Sequence, residues 1–299
     1  LPILTIIVAR FQAIDSLPPP DPPMAATVTA PIRAHVLGVP IDVCGDVFAA
    51  ALALHGGPGA LHTVADHDPA QAATDGLPSD GPGGRSGGQI VTLNAEMTMA
   101  ARANPELGAV IDKAELVIPD GAGVVWALGR QGYRVRRAPG IELARRLLEH
   151  AASHRWRVAL VGASPAVMDT LVNRLRQELP GLDLVIASHG YLKSSEWPEL
   201  ERRLLQAQPD LVLAALGVPR QETWIRGLPG RRGGLWMGVG GSFDVWAGTK
   251  KRAPGWMRAL QIEWLYRLVQ EPTRWRRMLA LPEFAWAVLG EKPHAPIRR

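Results

Sequence analysis

Six short apolar runs constrain what this chain can fold into: residues 90–93, 114–118, 158–161, 184–187, 211–216 and 235–239. Each stops at a polar residue, a proline or a glycine. Between them lie stretches of helical periodicity, at 95–103, 123–128, 141–154, 166–178 and 197–206. A further run at 35–41 precedes a helix over 45–54. Runs that are apolar throughout belong to strands covered on both faces, and their alternation with helices means βαβ units. The pattern predicts an α/β fold: a mainly parallel, Rossmann-like sheet flanked by helices, with right-handed crossovers. Ligands of such sheets bind beyond the carboxyl ends of the strands, so chemistry is to be sought in the residues just after each run.

The rest of the chain divides by composition. Residues 1–33 form a head rich in proline, which fixes φ and lacks a donor, and this head is expected to be disordered. The apolar start of the chain is too short for a signal peptide, and Met24 is the expected natural start. Residues 34–250 form the α/β core, interrupted at 55–88 by a Gly-, Pro-, Asp- and Ala-rich stretch without period, read as a flexible insertion. Its His55, His62 and His67 have no metal-ligand spacing and read as solvated. The one cysteine, Cys44, excludes an internal disulfide and fits a reducing compartment. No run approaches the roughly 20 apolar residues of a membrane-spanning helix.

Residues 251–299 are a basic, tryptophan-rich helical appendage that carries much of the formal net charge of +5. Arg252, Arg258, Arg267, Arg274, Arg276 and Arg277 alternate with Trp256, Trp264, Trp275 and Trp286. Guanidinium groups mixed with rings that have one polar tip suit a membrane surface or a phosphate-rich ligand. The periodicity predicts one helix over 256–270, a break at Glu271-Pro272 and a second helix from Thr273.

Each strand end offers a candidate with two readings. Asp120 is placed as a general base or as the N-cap of the next helix. Thr92 and Asn94 bind a sugar or phosphate, or Asn94 caps the helix at 95, which its type favours. Gly162-Ala163-Ser164 opens a helix whose N–H groups suit a diphosphate, or is a plain tight turn. Gln221 donates and accepts at once, as a uracil edge requires, and Glu222 suits sugar hydroxyls; the alternative is a solvated loop. Gly240 and its neighbour allow close approach to backbone, and Asp244 binds a ligand or caps a turn.

Taken in order, Thr92-Leu-Asn94, Pro119-Asp120-Gly121, Gly217-Val-Pro-Arg-Gln221-Glu222, Gly240-Gly-Ser-Phe-Asp244, Arg252-Ala-Pro and Glu263-Trp-Leu-Tyr-Arg267 resemble the bacterial WecG/TagA/CpsF glycosyltransferases, family 26. The resemblance runs over about 37–289, interrupted by the insertion. It implies an inverting, metal-independent transfer of N-acetylmannosamine, its uronic acid or a related hexose. The donor is a UDP-sugar, the acceptor a polyprenyl-diphosphate-linked saccharide, and the pathway cell-surface polysaccharide synthesis. No cofactor is implied. It makes Asp120 the base, lines the same pocket with Thr92 and Asn94, and sets Gln221 on the nucleotide sugar; the residues after the strands add Gly121, Gly162, Glu222, Gly240 and Asp244 as candidate substrate contacts. Arg267, Arg274 and Arg277 close over the site. It also implies a cytoplasmic protein, peripheral on the inner face of the membrane and attracted to anionic lipid, with homo-oligomerisation left open. On this reading a chain cut after Glu263 keeps a folded core and loses transfer.

A competing class is a non-catalytic nucleotide- or polyanion-binding α/β protein, whose tail would stack on single strands. Acidic and glycine-rich strand ends have no purpose there, so nucleic acid is not an expected partner. An NAD(P) oxidoreductase is disfavoured by the missing dinucleotide fingerprint.

Overall fold

The computed structural model describes residues 31–56, 87–229, 233–259, 263–270 and 275–291, except the side chains of Arg258, Ala259, Arg267 and Arg276. The head up to residue 30, and the insertion from 57 to 86, lie outside the described residues.

The six runs form one parallel sheet. In chain order its strands are β3 (Gly87–Leu93), β4 (Leu116–Pro119), β5 (Arg157–Gly162), β6 (Asp183–Ser188), β7 (Leu211–Ala215) and β8 (Gly234–Gly238). Their spatial order is β4-β3-β8-β7-β5-β6, and every pairing is parallel. The apolar runs serve both faces. Leu211 and Leu213 enter one core, while Val212 and Ala214 enter another on the opposite side. The first core lies beneath the helices α1 (Val47–Gly56), α5 (Gly140–His154) and α6 (Pro165–Glu178). The opposite face is covered by α2 (Ala95–Ala103), α3 (Pro105–Asp112) and α4 (Ala122–Arg130) over β3 and β4, and by α7 (Trp197–Ala207) and α8 (Arg220–Gly227) over β5 and β7.

Four local expectations are corrected. The run at 35–41 is not one strand but most of a hairpin, β1 (Ile32–Val36) and β2 (Val39–Val43), turned by Leu37 and Gly38 at φ 53° and 81°. Two positive φ values mark a type I′ turn, whose usual Asn-Gly signature is absent here. The hairpin covers the edge of β4, where buried Asp42 Oδ2 accepts from Val117 N at 2.7 Å. Second, the helical stretch read at 95–103, which Asn104-Pro105 marks as ended, is followed at once by another helix. The Asn104 side chain accepts from Glu106 N and Leu107 N and starts α3, with proline in its first turn. Third, the insertion is shorter than read. His55 lies in the last turn of α1, stacks on Trp156 at 3.9 Å and meets Asp210 at 3.2 Å, and Gly87 already belongs to β3. Burial against the base of the sheet thus extends order into a stretch that composition alone marks as loop.

The fourth correction concerns the tail. Beyond the sheet come α9 (Ser242–Trp246), α10 (Gly255–Ala259), α11 (Glu263–Gln270), α12 (Trp275–Met278) and α13 (Ala280–Gly290). The last is not a detachable appendage. Phe284 and Val288 are 2 % and 3 % exposed, inside the core that holds α2 and α4. A chain ending at Glu263 would leave that core open, so an intact truncated fold is not expected.

Candidate functional site

All six strands deliver their carboxyl ends to one cavity of about 1200 Å³. At the end of β3, Asn94 Oδ1 accepts from Met97 N at 2.9 Å, so the capping role that its residue type favours is realised, while its side chain also lines the cavity. Thr92 lines it too and packs on Gly140, where an added Cβ would stand 2.6 Å from Thr92 Cγ2.

Asp120 follows β4, and its N–H donates to Leu93 O at 2.9 Å, setting it level with the end of β3. It does not cap its own helix. The N-cap of α4 is Gly121, without a side-chain bond. Instead Asp120 Oδ1 accepts from Gly140 N at 3.0 Å, at the start of α5, whose own N-cap Pro139 offers no side-chain acceptor. A carboxylate held against a helix N-terminus is oriented by an N–H that the helix itself cannot use. That hydrogen bond fixes its direction in the cavity wall.

From sequence, Arg134, Arg136 and Arg137 read equally as partners of a uronate carboxylate or as a solvated loop, and Arg137 lines the cavity. Its Nε donates to Asp120 O at 2.6 Å and its Nη2 to Glu263 Oε2 at 3.1 Å. It therefore stands between the Asp120 loop and α11. Lys250, Lys251, Arg252, Arg220 and Arg277 add to the cationic lining. Arg252 also reaches Glu142 at 2.6 Å, and Asp244 lies 3.7 Å from Lys250 Nζ. The run Lys250-Lys251-Arg252 was the available signal for this wall. Of the tail arginines, exposed Arg277 lines the cavity, whereas Arg274 and the Arg267 side chain lie outside the described residues.

The remaining candidates divide between the cavity and the wall behind it. Gly240, Asp244 and the pair Ala163-Ser164 line the cavity, with Ser164 Oγ accepting from Val167 N at 3.4 Å to cap α6. Gly121 and Gly162 do not line it. Each instead permits close packing, Gly121 on Asn94 and Gly162 on the Ala215 carbonyl. Gln221 borders the cavity but is 2 % exposed, and its amide is committed to Gly217 N, Gly240 N and Glu222. Glu222 faces away from the cavity, also 2 % exposed, so a direct sugar contact is corrected to a place behind the wall. The reason is α8: a stretch legible as loop is a helix that turns both side chains inward.

The appendage supplies most of the large exposed apolar side chains, among them Trp256, Val269, Trp275, Trp286 and Leu289 at 51–79 % exposure. Among the described residues no helix is long and apolar enough to cross a membrane.

The family model for the glycosyl transferase WecG/TagA/CpsF family matches residues 71–297. The chain is 37 % identical over 217 residues to the N-acetylglucosaminyldiphosphoundecaprenol N-acetyl-beta-D-mannosaminyltransferase of Bacillus spizizenii, covering 70 % of this chain and 83 % of that one. The enzymes of the same name from Bacillus subtilis and Staphylococcus aureus (strain MW2) are 36 % and 34 % identical, over 69 % and 68 % of this chain and 80 % of each relative.

Proposed function

The chain belongs to the WecG/TagA/CpsF family of glycosyltransferases, and on that premise we propose that it transfers N-acetylmannosamine from a UDP-sugar to a polyprenyl-diphosphate-linked N-acetylglucosamine. The observation that carries this reading is the pairing of one oriented carboxylate, Asp120, with a cationic wall in a cavity where all six strands of the parallel sheet end. The relatives' names supply the sugar and the acceptor class.

The mechanism is a single inverting displacement. Asp120 takes the proton of the acceptor hydroxyl as that oxygen attacks the anomeric carbon. The bond to the UDP oxygen breaks on the opposite face. Lys250, Lys251, Arg277 and the N-terminus of α6 at Ser164 meet the charge that develops on the diphosphate, which makes a metal unnecessary. The exposed tryptophans of the appendage rest on the cytoplasmic face of an anionic membrane, where the lipid-linked acceptor is held.

The test is incubation of the full-length protein with a panel of UDP-sugars and a short-chain polyprenyl-diphosphate N-acetylglucosamine acceptor, with and without a chelator. The expected product forms from UDP-N-acetylmannosamine in both conditions. Transfer from another sugar alone, or chelator-sensitive transfer, contradicts the corresponding part of the proposal.

A further inference from the structure

The Gln221 amide joins two loops of the cavity wall. Its Oε1 accepts from Gly217 N, after β7, and from Gly240 N, after β8, each at 3.1 Å. With the oxygen so engaged, Nε2 is the donating end, and it lies 2.7 Å from Glu222 Oε1. Gly238 leaves room for this amide, since a Cβ there would collide with Gln221 Nε2.

Glu222 itself is placed where a carboxylate is poorly served. It is almost fully buried, and among the described residues no cation pairs with it. Its Oε2 has no hydrogen-bond partner, and neither has the buried Gln89 Oε1. These two orphaned atoms belong to residues already in contact, because Gln89 Nε2 donates to the Glu222 backbone carbonyl at 3.1 Å. A charge here would be desolvated without a counter-ion, and Gln89 would keep an unmet acceptor. A carboxyl group answers both deficits: Oε2–H is a donor, and Gln89 Oε1 is an acceptor lacking one.

We propose that Glu222 is a positioning residue that works as a neutral carboxyl: it directs its proton toward Gln89 and holds the Gln221 amide, so that the loops after β7 and β8 keep their spacing at the donor site. Burial pushes the Glu222 carboxyl up to about 7, consistent with a proton held there. The charged groups on the surrounding elements do not reverse this. Glu115 accepts from Gln89 N at 2.6 Å and pairs with Arg226 of α8 at 3.4 Å, Arg220 lines the cavity, and Glu106 and Asp112 of α3 face solvent.

The description of the cavity as a donor site rests on the proposed function, whereas the proton on Glu222 does not, so the test has two arms on the full-length protein. The first is thermal unfolding without substrate, between about pH 5 and pH 9. The raised carboxyl stabilises the folded state fully below its unfolded value of 4.5, and that contribution is lost as pH rises to about 7. Wild type therefore shows a fall in Tm across that window which Glu222→Gln, whose Nε2 donates at every pH, does not share. The second arm is transfer kinetics. Glu222→Ala releases the Gln221 amide and raises the KM for the UDP-sugar about tenfold with kcat little changed, while Glu222→Gln restores KM. A Tm fall of equal size in wild type and Glu222→Gln overturns the proposal, and so does a Gln variant as impaired as the Ala variant. Should wild type itself transfer no sugar, the functional reading fails, and the unfolding arm alone decides the role of Glu222.

Discussion

Arg137 and Glu263 meet at 3.1 Å across 126 residues of chain, and the same guanidinium holds the backbone carbonyl of Asp120. The appendage is thereby tied to the loop that carries Asp120. Both side chains are largely buried, at 21 % and 8 % exposure, so the pair is poorly screened by salt. Glu263→Ala leaves Arg137 without this partner. Chemical denaturation should show a loss of about 1–3 kcal/mol, the scale of a hydrogen bond to a charged group left unmade. Transfer should fall with it as the Asp120 loop loosens, and an unchanged kcat would detach Arg137 from the site.

Asp120→Asn tests the base. Asparagine keeps an oxygen for the Gly140 N–H, so the cavity wall stays in place. The expected result is a drop in kcat of about 10²–10⁴ with donor affinity nearly preserved. Calorimetric binding of UDP alongside steady-state kinetics separates the two quantities, and near-normal turnover removes Asp120 from the mechanism.

Gly140 is the partner of both Asp120 and Thr92. A methyl group there would press on Thr92 Cγ2 at 2.6 Å, at the beginning of a helix whose N–H orients Asp120. Gly140→Ala should cost about 1–3 kcal/mol in stability by overpacking and should lower kcat more than it raises KM. A kinetic profile equal to wild type would show that the wall yields without moving Asp120.

Phe284 seats the last helix. Its ring lies over Gly123 and within the core shared by α2 and α4, the helices that follow Asn94 and Gly121. Phe284→Ala should lose about 3–5 kcal/mol, as for other buried aromatic truncations. Retention of full stability would restore the idea of a separable tail.

His150 gives a pH signature remote from the cavity. Partial burial, then the neighbouring His154 and His55, hold its imidazole below the usual 6.5. His150 and His154 stack at 3.8 Å. A depressed histidine binds fewer protons folded than unfolded, so its contribution is complete above 6.5 and is lost as pH falls through its folded value. NMR titration of the ring protons should show the low midpoint, and His154→Gln should raise it.

Much of the fold is legible in the chain because βαβ strands announce themselves locally. Residues 211–216 read as a strand, and Leu211–Ala215 is one, central and apolar on both faces. Where reading failed, the local signal was weak or had two meanings. Leu37-Gly38 lacks the Asn-Gly mark of its turn, and Asn104-Pro105 ends one helix by starting another. The position of Asp120, Thr92 and Asn94 beside a cavity was legible, since strand ends converge in any such sheet.

Beyond local caps such as that of Asn94, hydrogen-bond partners were not legible. Sequence alone determined the six strands of the sheet, the helices of clear period between them and the residues that follow each strand, because apolar period and turn chemistry act over a few positions. Tertiary structure decided what those residues do. It turned Asp120 from its own helix to Gly140 and used up the Gln221 amide on two backbone N–H groups. It hid Glu222 beside Gln89, and it drew Phe284 into the core. A hydrogen bond is chosen among groups that packing brings within about 3 Å, and chain order carries no measure of that distance.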